Sequence, residues 1–502
     1  MNPAGVEGGS GFMGNAIVET RCGKAEGRHN GRCWVWKGIP YARPPLGDLR
    51  FRPPEPPVRW EGVRDATRFS PVAPQTSKDP GGLGMSEDCL YLNVWSPGAD
   101  DRRRPVMVWI HGGAFIGGSG AEPTYDGSSF CEAGDLVFVT FNYRLGALGF
   151  LQLGEIGGEA YAASGNNGIL DQAAALRWVR DNIERFGGDP ERVTVFGQSA
   201  GAGSVAALMA MLSAQGLFHR AILQSAAMDY VHSLGAAART ARILLEGLNL
   251  SGDVMSALKA MPAAELTQRA EKIVRRHGLR FFPVVDGIAL PRHPAEALAD
   301  GAAREVPVMV GATSDEMALM HLSDPGWEQA FSDERSAVEW FIHRFGPFPE
   351  RAVPFYLQRP SREAEVTRNL IQLVSDRIFW TSALRIAESR VNHHAPVWMY
   401  RFHWQSPAMD GKLGACHAME LPFVFNTIGN PSARRMLGDS PPARLAEQMH
   451  KAWIAFARGG DPNTPDIPEW PAYELDHRPT MIFGERTELI PDPNREERLV
   501  WS

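Results

Sequence analysis

The chain has 502 residues, 44% apolar and 22% charged, and this composition argues for a large packed core rather than disorder. Its net charge of −7 argues against nucleic acid and anionic membrane surfaces as partners. Length alone allows about three ordinary domains, but large α/β enzymes exceed that norm as one unit, and residues 1–502 are read as a single domain.

The N-terminus, Met1 to Gly14, is Gly-rich and lacks a basic segment followed by an apolar one, so no secretory leader is expected. No apolar run approaches the length of a membrane span. The five cysteines, Cys22, Cys33, Cys89, Cys131 and Cys416, have no metal-type spacing. Cys22 and Cys33 could pair, but reduced thiols in a cytoplasm are the simpler expectation.

Taken in order, residues 15–60 form a strand-rich entry that includes Val35 to Ala42, followed by a loop-like stretch over 61–85. Glu87 to Trp95 alternates as a strand. Arg104 to Ile110 is a continuous apolar strand, as expected where both sheet faces are covered. It runs directly into His111-Gly112-Gly113-Ala114-Phe115, where a Gly pair lets backbone N–H groups approach a ligand, as an oxyanion hole requires. Leu136 to Phe141 is the next strand, and Asp171 to Phe186 carries an apolar helical stripe.

Val193 to Phe196 then stops at Gly197-Gln198-Ser199-Ala200-Gly201, before an Ala-rich helix-favouring run. The pattern is G-x-S-x-G in a strand, tight turn, helix context. It predicts a strained, exposed Ser199 hydroxyl at a helix N-terminus, where partial positive charge favours a developing oxyanion. Further strands are expected at Ala221 to Ser225, Pro307 to Gly311, Val397 to Trp404 and Met481 to Phe483. Helical insertions are expected at about 231–280 and 325–390, and an amphipathic helix at 443–458. This βαβ succession implies a mostly parallel sheet with helices on both faces.

A serine nucleophile needs a base, and the base an orienting acid. In the order Ser, acid, His, the acid candidates at strand ends are Glu316, Asp315 and Asp286, and the residues leave Glu316 and Asp315 tied. Asp286 reads as an ordinary turn residue. Among histidines, His417 lies in a Gly/Ala-flanked loop, His403 in a strand, His450 in the amphipathic helix, and His393 and His394 at an exposed helix end.

Together these residues resemble the type-B carboxylesterase family of the α/β-hydrolases. The resemblance rests on Lys37 to Ala42, Glu87 to Trp95, His111 to Phe115, Asn142 to Phe150, Gly165 to Gln172, Phe186 to Pro190 and the elbow. It continues through Gly311 to Glu316, His417 to Phe425 and Trp453 to Pro462. It implies an α/β-hydrolase fold, with Ser199 as nucleophile, Glu316 as orienting acid and His417 as general base. The implied oxyanion hole is Gly112, Gly113, Ala114 and Ala200, with N–H donors on the last three. Ser225 and Gln198 would stand beside the triad. The chain departs from the usual pattern at Gln198, where many relatives carry Glu, and at Met317, where Gly is usual. Relatives with a disulfide pair the cysteine matching Cys89 with one upstream, but residues 61–85 hold no Cys.

The expected function is therefore hydrolysis of small-molecule esters through an acyl-enzyme, without a metal or organic cofactor, in a cytoplasmic monomer or small homo-oligomer. Phe115, Phe281 and Phe282 are expected to wall an apolar pocket with few fixed charges, favouring short to medium uncharged esters. The alternatives are a carbamate or amide hydrolase using the same triad, a lipase, and a binding protein on the same fold.

Overall fold

A computed structural model describes residues 15–77, 79, 82–323, 339–340, 342, 349–357 and 363–502. Its strands are β1 (Asn15–Thr20), β2 (Gly23–His29), β3 (Trp34–Pro40), β4 (Val63–Asp65), β5 (Tyr91–Ser96), β6 (Arg104–Ile110), β7 (Val137–Phe141) and β8 (Gly188–Gln198). They continue with β9 (Arg220–Gln224), β10 (His232–Ser233), β11 (Val284–Val285), β12 (Val308–Thr313), β13 (Val397–Phe402), β14 (Pro479–Phe483) and β15 (Thr487–Pro491).

Thirteen strands form one sheet in the order β1-β2-β3-β5-β7-β6-β8-β9-β12-β13-β14-β15, with β4 beside β2; β10 and β11 pair separately. The adjacent strands β7, β6, β8, β9, β12, β13 and β14 run parallel. Antiparallel pairing is confined to the two flanks, β1, β2, β3 and β5 leading to β7 on one side and β15 against β14 on the other, while β4 lies parallel to β2. Every residue of β6, β7, β12, β13 and β14 is buried, which is why these segments are dominated by apolar residues, with Arg401 of β13 buried as part of an ion pair. Helices Asn167–Asn182, Ala200–Ala210, Thr381–Asn392 and Ala443–Gly459 pack around this sheet. The mostly parallel sheet with surrounding helices is the expected architecture.

Several boundaries differ from the sequence reading. The strand expected from Glu87 begins at Tyr91, because Glu87 is spent on Arg50, whose Nε donates to it at 2.7 Å. The helix expected from Asp171 starts at Asn167 and tightens into a 3-10 turn over Ile183–Phe186. Its early start follows from tertiary bonding just before it. The Asn166 side chain donates to the Val284 carbonyl at 2.7 Å and accepts from the Val284 N–H at 2.9 Å. The first insertion contains helices Leu234–Leu248, Val254–Ala260 and Ala263–Arg276. Of the second, residues 325–338, 341, 343–348 and 358–362 lie outside the described residues. No helix among the described residues is long and apolar enough to cross a membrane. All five cysteines are free; Cys22 is partly exposed and the other four are buried. Cys22 and Cys33 therefore do not pair.

Two buried ion pairs fix the long connections. Arg144, after β7, binds Asp171 of the first long helix through Nη2 at 2.6 Å and Nε at 2.8 Å, and both side chains are almost completely buried. Arg401 of β13 binds Asp376 at 2.8 Å, and Asp376 also accepts from the Tyr356 hydroxyl at 2.7 Å. Such pairs add little against an apolar substitute, but breaking one strands a charge. Asp171→Asn is expected to destabilise the protein by about 3–5 kcal/mol, measured by urea unfolding; a loss below about 1 kcal/mol would contradict this account.

Candidate active site

The central residue is Ser199, which leaves β8 with φ 58° and ψ −124° and starts the helix Ala200–Ala210. A non-glycine residue holds such a conformation only where its surroundings impose it. Here the Ser199 N–H donates to the Gln224 carbonyl of β9 at 2.9 Å, and the Ser199 carbonyl accepts from the Gly203 N–H at 2.9 Å. The flanking glycines are required by contact. A Cβ at Gly201 would lie 2.1 Å from the Ile110 carbonyl oxygen, and one at Gly197 would lie 2.5 Å from the Gly201 backbone. The helix can therefore press against the end of β6 only without side chains at these positions.

The end of β6 supplies the second component. Gly113 has φ +110°, and Ala114 and Phe115 are left-handed at 53° and 61°. A Cβ on Gly113 would collide with the Gly117 carbonyl oxygen at 2.1 Å. Among the described residues, the N–H groups of Gly113, Ala114 and Ala200 have no hydrogen-bond partner in the protein, so they are free for a ligand. Gly112 lies close beneath the elbow; a Cβ there would meet the Gln198 carbonyl oxygen at 2.8 Å. His111 steadies this loop. Its Nδ1 is 2.8 Å from the Gly112 carbonyl, its ring stacks on Tyr143, and burial pushes its pKa down to about 4, so it stays neutral.

The third component comes from the ends of β12 and β13. His417 Nδ1 hydrogen-bonds Glu316 Oε2. The other Glu316 oxygen accepts from the Ser225 hydroxyl at 2.5 Å and the Thr313 N–H at 2.8 Å. Burial pulls the His417 pKa down, but the Glu316 charge and hydrogen bond outweigh it and leave the group above its ordinary value. Gln198 Nε2 lies 3.1 Å from His417 Nε2. Because Nδ1–H is given to Glu316, that amide donates to Nε2.

The rival residues are used elsewhere. Asp315 accepts from the Ala415 N–H at 3.0 Å and from Gln405 at 3.0 Å. Asp286 Oδ1 accepts from three successive N–H groups, Ile288 to Leu290, as a turn residue does. His450 is buried against the Val424 carbonyl, and His403 lies just past the end of β13, which stops at Phe402.

Ser199, His417, Gln198 and Gly112 to Ala114 line one cavity of about 830 Å³. Phe115, Phe281 and Phe282 are not among its lining residues. Phe115 packs on Phe150 at 4.9 Å, Phe282 stacks on Tyr230 at 4.8 Å, and Phe281 is buried. Tyr125, Met320, Leu421 and the charged residues Asp79, Glu122, Glu271 and Arg275 line it instead. The sequence reading missed three neighbours. Phe379 lies 4.9 Å from the His417 ring, Glu420 is buried beside Glu316, and Glu122 comes from the loop after the Gly pair. Only Glu420 had a usable signal, an acid three residues past the candidate base.

The steric account of the elbow predicts a contrast. Gly201→Ala should destabilise the protein by at least about 3 kcal/mol, because backbone faces the new methyl. Gly235→Ala, in open space within a helix, should be neutral or stabilising by up to about 1 kcal/mol. Equal effects in urea unfolding would refute the contact argument.

Comparison with known proteins agrees with this geometry. The model of the carboxylesterase family matches residues 14–500. The chain is 41% identical to the para-nitrobenzyl esterase of Bacillus subtilis (strain 168), covering 97% of this chain and 98% of that protein. It is 38% identical to the phenmedipham hydrolase of Pseudarthrobacter oxydans, over 93% and 95% of the two chains. The crystal structure of the Geobacillus stearothermophilus carboxylesterase EST55 superposes with a TM-score of 0.90 at 44% identity, covering 97% of this chain and all of that one. The chain thus belongs to the carboxylesterase family, with its α/β-hydrolase fold, and is a carboxylic-ester hydrolase.

Proposed function

We propose that this enzyme hydrolyses short to medium esters with apolar acyl groups through a Ser199, His417, Glu316 triad and an acyl-enzyme. The observation that carries the reading is the convergence of the strained Ser199 and the Glu316-bound His417 on one cavity. His417 Nε2 takes the Ser199 proton as Oγ attacks the ester carbonyl. The new oxyanion receives the free N–H groups of Gly113, Ala114 and Ala200, preorganised and close to a helix N-terminus. Collapse of the tetrahedral intermediate expels the alcohol, which takes the proton from His417. Water, deprotonated by the same nitrogen, then attacks the acyl-enzyme and releases the acid and Ser199. Glu316 fixes the tautomer and stabilises the imidazolium, and Ser225 and the Thr313 N–H hold Glu316 in place. Similarity to a para-nitrobenzyl esterase supports acceptance of an aromatic alcohol.

Hydrolysis of p-nitrophenyl esters of increasing acyl length tests the proposal. Activity should peak at short acyl chains, and Ser199→Ala should lower kcat by about 10⁴ to 10⁶. A mutant rate within tenfold of wild type would sink the assignment.

The raised His417 pKa has a second consequence. Only neutral His417 can accept a proton, so kcat/KM should fall as pH drops through a value above the 6.5 of ordinary imidazole. Glu316→Gln should move this acid limb down and lower kcat by roughly 10³ to 10⁴. Gln198→Glu, which sets a carboxylate against the ring, should move it up. A limb unmoved by either substitution would contradict the assigned proton path.

A further inference from the structure

The loop that carries the free N–H groups of Gly113 and Ala114 is held at both ends. Its near end follows β6, where Gly112 lies beneath the elbow. Beyond it the chain curls tightly: the Gly113 carbonyl accepts from the Ile116 and Gly117 N–H groups, each at 3.0 Å. Ala114 and Phe115 are both left-handed within that curl, a backbone that persists only under restraint from its surroundings. The restraint at the far end comes from the long loop before β5. Gln75 Oε1 accepts from the Gly118 N–H at 2.9 Å, and Gln75 Nε2 donates to the Gly118 carbonyl at 3.0 Å. One carboxamide thus takes both backbone groups of Gly118, as a neighbouring strand would. Its other hydrogen goes to the Ala73 carbonyl at 3.1 Å, and its oxygen also accepts from the Ser77 hydroxyl. The amide is buried and fully satisfied, which fixes its orientation. Gly118 in turn sits against the near end of the loop. A Cβ there would lie 2.5 Å from both the Gly112 carbonyl oxygen and His111 Nδ1. Clasping Gly118 therefore closes the curl, with Gly113 and Ala114 between its fixed ends.

We infer that Gln75 is a positioning residue for ester hydrolysis: through Gly118 it holds the Gly113 and Ala114 N–H groups where the ester carbonyl oxygen takes up charge. This rests on the reading of Ser199 as nucleophile. The carboxamide suits the task because it presents a donor and an acceptor side by side. A glutamate here would offer acceptors alone and set a charge against the Gly118 carbonyl, and a methionine would fill the space with neither bond. Oxyanion donors grip charge that develops on the way to the transition state, so displacing them lowers kcat more than substrate binding. The hydrogen bonds of the Gln75 side chain end on Ala73, Ser77 and Gly118, so the proton path through His417 and Glu316 is left alone.

The test measures kcat and KM for p-nitrophenyl acetate in Gln75→Met, Gln75→Glu and Thr76→Val. Active sites are counted by complete reaction with a fluorophosphonate, so only folded enzyme enters kcat. Inhibition constants are measured alongside for n-hexyl trifluoromethyl ketone and for the alcohol formed by reducing it. Ser199 Oγ adds to the ketone carbonyl carbon, its proton passes to His417, and the carbonyl oxygen becomes an oxyanion; the alcohol enters the same cavity without forming one. Both Gln75 variants should lose roughly 10- to 100-fold in kcat, with KM within about threefold of wild type. Binding of the ketone should weaken by about the same factor as kcat, and that of the alcohol by less than about twofold. The acid limb of kcat/KM should stay at its wild-type position. Thr76→Val removes a neighbouring hydroxyl that bonds Glu271 instead, and should keep kcat within about twofold. Should Gln75→Met yield no folded enzyme, Gln75→Glu decides. A kcat near wild type in the Gln75 variants, equal weakening of ketone and alcohol, a displaced acid limb, or an equal loss in Thr76→Val overturns the proposal. A wild type that neither hydrolyses p-nitrophenyl acetate nor binds the ketone would instead overturn the serine-esterase reading beneath it.

Discussion

The active region depends on one contact, the approach of the Gly201 backbone to the carbonyl oxygen of Ile110, where any Cβ would overlap it. This closeness sets the helix after Ser199 against the end of β6. It thereby aims the helix N-terminus and the loop at Gly112 to Phe115 at the same small volume. The strained Ser199 backbone follows from that approach, because the chain must reverse within one residue between β8 and the helix. Hydrogen bonds from Ser199 to β9 and from Gly203 to Ser199 offset the strain locally. The parallel sheet does the rest. It delivers the ends of β6, β8, β9, β12 and β13 to one edge, and each brings one part of the site.

Electrostatic arrangement near His417 is as tightly drawn as its geometry. Two carboxyl groups, Glu316 and Glu420, are buried near one imidazole. Burial and the neighbouring Glu316 charge push Glu420 up to about 7, so it is protonated at acidic pH and ionises only as the solution passes through neutrality. A relay holds Glu420 in place: Trp453 Nε1 donates to Gln224 Oε1 at 3.1 Å, and Gln224 Nε2 donates to Glu420 at 3.0 Å. Gln198 adds no charge to the ring, and the carboxylate that touches it is Glu316, at Nδ1.

Much of this was legible in the sequence, and the misses share a cause. The apolar runs of β6, β7 and β12 announce strands because both faces of a parallel sheet are covered, and the elbow glycines announce a crowded turn. The tie between Asp315 and Glu316 could not be broken from residue types, since both follow the same strand. Burial breaks it: Glu316 turns inward to Ser225 and Thr313, while Asp315 turns to the Ala415 N–H and Gln405. Glu122 looked like an ordinary loop acid, because desolvation is a property of the fold and not of the residue, whereas Glu420 was marked only by its place three residues past the candidate base. The three phenylalanines were expected in the pocket because aromatic residues suggest walls, yet none of them lines it, and Phe115 and Phe282 pack on other aromatic rings. The early start of the helix at Asn167 depends on Asn166 bonding to Val284, 118 residues away, which no local pattern records.

The distribution of thiols has a practical consequence for following this protein in solution. Four cysteines are sealed in the core and Cys22 alone is partly open to solvent, on the turn between β1 and β2. Alkylating reagents will therefore modify the native enzyme once and at a distance from Ser199. The other four sulfurs become reactive only as the molecule opens, so the time course of their modification reads out unfolding element by element: Cys33 and Cys131 for the β3 side of the sheet, Cys89 for the approach to β5, and Cys416 for the loop that carries His417.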